Sequence, residues 1–304
     1  MLLANPLDAI EISVPARQTF LLQSIQMKIH NLNPQKYKRF FAFGCSFTNY
    51  WWPTWADIIG QDVTVYENWG RGGAGNHFIF NSVIEANLRH SFTKDDLVII
   101  MWSSTTREDR YSNNNWVPAP PNLQEKVYGK DWVKKFSTDT RGFMIRDCAL
   151  IKATQTLLGT LDCDWAQMVM QPITNFDLPA IFAKYGSDVE LPPESEGRVY
   201  WKDTFNELCR TGTVHPMFEN KDVLELYKDI FTQLEPSYEV QDASFRDDIH
   251  PSPAGALELL NKIWPDNTLS TTSKEYADFW QTQLLAAKEI TSPIHEAPTA
   301  VKRL

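Results

Sequence analysis

Three short stretches of the chain combine residue types that can do chemistry. The first is Gly44-Cys45-Ser46-Phe47-Thr48, directly after the apolar run Arg39-Phe40-Phe41-Ala42-Phe43. A serine just past a buried strand, behind a glycine that tolerates a sharp turn, presents its hydroxyl at the rim of a sheet. A serine here can equally cap the helix that follows. The second is Asn68-Trp69-Gly70-Arg71-Gly72-Gly73-Ala74-Gly75-Asn76. Its glycines expose backbone N–H groups, which suit an anion or an oxyanion. The spacing of Gly70, Gly73 and Gly75 does not fit the G-x-G-x-x-G dinucleotide fingerprint. The third is Asp247-Asp248-Ile249-His250-Pro251. There a carboxylate three residues before an imidazole can orient it, leaving the other ring nitrogen for a nucleophile. The bland alternative is a surface loop. The competing pair His215-Pro216 has glycine at position 212 and so lacks the acidic partner.

These stretches need a scaffold, and the hydrophobic pattern supplies one. Residues 15 to 32 carry a leading amphipathic helix. Strands are expected at 39–43, 63–66, 97–102 and 165–170, with helices at 53–59, 76–90 and 142–161 between and after them. Helices are further expected at 224–234, 254–263 and 272–290, with a loop at 241–253. Strand and helix in alternation imply a parallel sheet covered on both faces, an α/β three-layer α/β/α sandwich. Ligands of such sheets bind at the C-terminal strand ends, where Ser46 and the glycine loop fall. Residues 107–140 and 173–218 lose the pattern and read as insertions. The expected organisation is an extension over 1–36, a domain over 37–268 and a C-terminal helix and tail over 269–304.

Composition narrows the class. The chain has 304 residues, 43% hydrophobic and 22% charged, which fits a folded globular protein. Its net charge of −9 argues against a nucleic-acid partner. Cys45, Cys148, Cys163 and Cys209 show no C-x-x-C spacing and read as buried thiols. Pro6, Asp8 and Glu11 interrupt the N-terminus, so no signal peptide is expected, and no apolar run approaches membrane-spanning length. A soluble protein, cytoplasmic or virion-associated, is the expectation. No metal or cofactor is called for, since His30, His77 and His90 lack companion spacing. The outlier is tryptophan, 11 residues, roughly two to three times ordinary usage.

The ordered set resembles the SGNH (GDSL-type) hydrolase superfamily. Gly44-Cys45-Ser46 resembles its first block, Asn68-x-Gly70-x-x-Gly73 its second, and Asp247-x-x-His250-Pro251 its last, D-x-x-H-P. The likeness spans roughly 38–265. It implies a catalytic triad of Ser46, His250 and Asp247, with an oxyanion hole from the N–H groups of Ser46 and Gly73. The family's third block, G-x-N-D, is missing. Trp102-Ser103-Ser104-Thr105-Thr106-Arg107 stands there, which leaves Ser104, Arg107 or Asn76 to replace the asparagine donor. The implied activity is a serine esterase or deacylase. Trp51, Trp52 and Trp55 after the nucleophile, with Trp69 and Trp102 at strand ends, suggest an aromatic wall. Together with Asn76 and Arg107 that wall would take a carbohydrate ester such as an O-acetyl group. Trp116, Trp132, Arg110 and Tyr111 of the first insertion would help. The alternatives are an acyltransferase, or a non-catalytic structural or attachment protein with an assembly partner, in the manner of phage-encoded members.

Overall fold

The computed structural model describes residues 29–136, 140–170, 210, 224–225, 250–264 and 268–287. Asp247, Cys209, residues 15–28 of the leading helix expected over 15–32, most of the second insertion and the C-terminal tail lie outside them.

Five parallel strands form the central sheet: β1 (Arg39–Phe43), β2 (Val65–Asn68), β3 (Asp96–Trp102), β6 (Asp164–Val169) and the two-residue β7 (Leu224–Glu225). Their spatial order is β2-β1-β3-β6-β7. β3 is buried along its whole length, as its unbroken apolar run requires. Alternate residues of β1 serve opposite faces. Phe40 meets Trp55 and stacks on Tyr66, while Phe41 meets His90 and Phe92. Both phenylalanines are fully buried, each contributing about 2 kcal/mol through the area removed from water. Helix α1 (Trp55–Gly60) packs with the two last helices, α6 (Pro253–Ile263) and α7 (Thr271–Ala286), on the Phe40 side. Helices α2 (Asn76–His90) and α5 (Thr140–Leu158) pack together and form the opposite layer. The molecule is a three-layer α/β/α sandwich, as expected.

The strand order places a crevice. From β1 the chain moves outward to β2, then crosses back to β3 on the other side. The C-terminal ends of β1 and β3 therefore flank a topological switch point, the usual ligand position in doubly wound sheets.

Several local expectations need correction. The second strand runs over 65–68 rather than 63–66, because Val65 is the first residue in register with Arg39. Leu224 and Glu225 pair with Met168 and Val169 as a strand instead of opening a helix. Residues 107–140 are not featureless. They form an antiparallel hairpin, β4 (Glu108–Ser112) with β5 (Asn115–Ala119), then α3 (Pro121–Tyr128) and α4 (Lys130–Phe136). Asn113 and Asn114 turn the hairpin at φ 50° and 60°, the left-handed geometry of a two-residue turn that asparagine tolerates. β4 is largely polar and exposed beyond Asp109, and β5 runs Trp116 to Ala119 without a polar residue, so neither strand shows period-two alternation.

Candidate active site

Ser46 sits in a tight turn at the end of β1, closed by Thr48 and Asn49 N–H groups donating to the Cys45 carbonyl. Gly44 is needed there for space: a Cβ on it would lie 2.0 Å from Thr48 Oγ1 and 3.1 Å from the Met101 carbonyl oxygen. Capping of the next helix falls to Thr54, whose hydroxyl accepts from Ala56 N–H while the Asp57 carboxylate accepts from Thr54 N–H. Ser46 is thus released from the capping role that its position left open.

The deciding observation crosses 204 residues. His250 Nε2 lies 2.7 Å from Ser46 Oγ. His250 arrives on the loop before α6, where Ser252 caps the helix by accepting from Gly255 N–H. Its ring meets two aromatic side chains that follow Ser46 in the chain. Tyr50 stacks on it at 3.8 Å and 14°, and Phe47 tilts against it at 4.8 Å. A hollow next to the pair is lined by Ser46, His250, Tyr50, Trp55, Met101 and Leu259, among others. Asp247, the expected orienting carboxylate, lies outside the described residues.

The glycine loop is stitched to the same strand end, with Arg71 N–H donating to the Gly44 carbonyl and Trp69 N–H to that of Ala42. Gly73 has φ +77°, in the left-handed region that disfavours other residues, and faces Pro118 and Pro120 of the hairpin segment. Arg107 donates to the Ala74 carbonyl and reaches within 3.9 Å of Met170 Sδ, so it bridges the glycine loop and the end of β6. Met170 in turn contacts Cys45, the residue before the nucleophile.

Other expected site residues are placed differently. Asn76 is fully buried and is not a substrate contact. Its Oδ1 accepts from Ser103 N–H at 2.7 Å, and its Nδ2 donates to the Ser103 carbonyl and to Asp147. It therefore fixes the backbone where β3 ends. Ser104 follows at once, and its hydroxyl pairs with Thr106 Oγ1 at 3.2 Å. The tryptophan wall is largely lost. Trp52, Trp69 and Trp102 are fully buried, which leaves them no face for a sugar, while Trp55, nearly buried, still lines the hollow beside Ser46 and His250. Trp69 N–H donates to Glu67, and Trp52 N–H to the Pro251 carbonyl at 2.8 Å. Trp51 is half-buried beside Trp52 and Leu284. These rings pack because indoles at the ends of covered strands remove more apolar area than any other side chain.

Sequence reasoning missed a buried ionic network behind the glycine loop. Arg146 pairs with Asp147 at 2.7 Å and with Glu108 at 2.9 Å, and donates to the carbonyls of Thr105 and Arg107. Burial raises the Asp147 carboxyl to about 6, although Arg146 and Asn76 pull it down. Asp109 of the hairpin accepts from Gly75 and Phe78 N–H groups at the N-terminus of α2, and burial raises it despite those bonds. No spacing rule reveals partners 71 and 34 residues apart.

No family model matches the chain, and no curated protein matches it. Among the described residues no helix is long and apolar enough to cross a membrane.

Proposed function

We propose that the protein is a serine hydrolase of SGNH type that cleaves an ester through an acyl-enzyme. The observation that carries this is the 2.7 Å contact between Ser46 Oγ and His250 Nε2 at the sheet's switch point. As Ser46 Oγ attacks the ester carbonyl carbon, its proton passes to His250 Nε2. The oxyanion receives hydrogen bonds from the N–H groups of Ser46 and Gly73, with the Ser104 hydroxyl as third donor. The proton on Nε2 then moves to the departing alkoxide oxygen as the carbonyl–oxygen bond breaks. Water, deprotonated by the same nitrogen, attacks the acyl-enzyme and frees Ser46. Asp247 is assigned to accept from His250 Nδ1 and hold its tautomer. An alcohol in place of water makes the same cycle an acyl transfer.

The carbohydrate acceptor loses its main support with the buried tryptophans. Exposed aromatic rings lie elsewhere: Tyr111 of the hairpin is 63% exposed beside Trp116, and Phe136 of α4 and Phe279 of α7 are also exposed.

A fluorophosphonate probe tests the proposal. The folded wild type is expected to label at one serine, with labelling lost in Ser46→Ala and lowered at least about 10³-fold in His250→Ala. A folded wild type that does not label overturns it and favours the structural or attachment alternative.

A further inference from the structure

The catalytic assignment leaves unexplained why the segment after the nucleophile is so aromatic and why a helix beyond the expected domain packs against it. Four residues past Ser46, the Tyr50 ring lies nearly parallel to the His250 imidazole at 3.8 Å. Trp52 meets Tyr50 edge-on at 4.7 Å and 86°. Its indole N–H donates to the carbonyl of Pro251, the residue bonded to His250. Trp52 is fully buried with Leu284 of α7. A second tie runs from Ala254 N–H, in the first turn of α6, to Gln281 Oε1 of α7 at 3.1 Å. Ring and backbone of His250 are thus both fixed by one bracket, anchored on the C-terminal helix.

A hydrogen bond to Ser46 fixes the position of Nε2 but not the plane of the ring, which can still swing about that contact. Face-to-face stacking removes this freedom. It also places a π face against the positive charge that forms when the ring takes the serine proton. We propose that Tyr50 is a positioning residue for His250, with Trp52 and α7 as its support. This rests on the reading of Ser46 and His250 as nucleophile and base. It makes α7 a working part of the site instead of an appendage, and it gives the tryptophan-rich segment a role other than contact with substrate. The phenolic hydroxyl has no part in the argument, so phenylalanine should serve in its place.

The test compares wild type, Tyr50→Phe and Tyr50→Leu in hydrolysis of a short-chain aryl acetate, with fluorophosphonate labelling rates and thermal melting alongside. Tyr50→Phe is expected to remain within about 3-fold of wild type. Tyr50→Leu should lower kcat and labelling rate by about 10- to 100-fold, the scale of a sub-ångström to ångström misplacement, with KM nearly unchanged and the fold intact. Equal rates for folded Tyr50→Leu and wild type overturn the proposal. So does a Tyr50→Phe variant as slow as Tyr50→Leu, which would transfer the role to the hydroxyl. A second readout does not need catalysis. The His250 ring protons should resonate upfield, shielded by the Tyr50 face, in wild type and Tyr50→Phe, and return toward free-imidazole positions in Tyr50→Leu. If the wild type neither labels nor hydrolyses, the catalytic reading fails. The ring signals then still decide whether the bracket exists, and their being identical in all three proteins overturns it.

Discussion

The two sides of the Ser46 crevice are built by different physics. On the histidine side the holding groups are packed apolar side chains, chiefly rings: Tyr50 on His250, Trp52 on Tyr50, and aliphatic Leu284 on Trp52. On the glycine-loop side they are hydrogen bonds and buried charge: Asn76 on Ser103, Asp147 on Asn76, Arg146 on Asp147 and Glu108. Under the proposed hydrolase reading, the difference follows from what each side must hold. A general base is a side chain that gains charge in the reaction, and apolar rings hold its plane without competing for its proton. Oxyanion donors are largely backbone, and peptide groups are positioned best by partners that bond them directly. Packing is forgiving of shape, whereas a polar network is costly when one member is lost.

Removing Asn76 should separate the two sides most sharply. Asn76→Ala strands the Ser103 N–H and carbonyl and deprives buried Asp147 of a donor. A loss of about 3 kcal/mol or more is expected, since each unsatisfied buried group costs about 1–3 kcal/mol. Urea denaturation measures it. A loss below about 1 kcal/mol would mean that water takes over these bonds and that the glycine side is not held as described.

On the ring side, Leu284→Ala removes a fully buried side chain from the small cluster under Trp52. About 2 kcal/mol is expected, the low end for such truncations because the cluster lies apart from the main core. The sharper expectation is in the labelling rate, which should fall by more than stability alone explains, because the bracket loosens before the fold does. Labelling unchanged in the folded variant would detach α7 from the site.

The hairpin is joined to the glycine loop through Asp109, which takes the place of a local cap at the start of α2, where Gly75 offers no side chain. Asp109→Ala should cost about 1–2 kcal/mol, the range for a lost helix cap. Hydrogen exchange at Gly75 and Phe78 should rise with it. Protection unchanged at those two amides would show that the hairpin does not hold the loop.

The sequence made one side more legible than the other. Helix α2 carries a strong helical period and strand β3 an unbroken apolar run, and both lie within one residue of the expected bounds. Ser46 and His250 stand in recognisable local blocks at element boundaries, although only the fold brings them together. The glycine-side partners were less legible: Asn76 was singled out, but as a donor or substrate contact, and Asp109 and Asp147 are ordinary polar residues whose meaning comes from contacts far apart in the chain. The tryptophans misled for a related reason. Position along the chain does not say which way a ring points, and packing on the sheet and on α7 drew four of the five inward. Tyr50, which lines the hollow and stacks on His250, was hidden among them.

The last expectation is read through pH and concerns the charge on Asp147. Its carboxyl is raised to about 6 by burial, against 3.8 for the unfolded chain. Between those values the folded state binds the proton more tightly than the unfolded state does. The contribution of this group to stability is therefore largest at low pH, declines as pH rises through the window and is constant above it. Exposed Asp95 behaves oppositely, since Lys38 lowers it, so the total curve mixes both signs. Asp147→Asn isolates the one group, because every other carboxyl is common to both proteins. Asparagine also keeps an oxygen acceptor for Arg146 or Asn76. The stability difference, variant minus wild type, should rise from pH 4 to 6 and then level off. A flat difference for Asp147→Asn would show that the network screens its buried charge fully, and that polarity holds the glycine side at no cost in pH sensitivity.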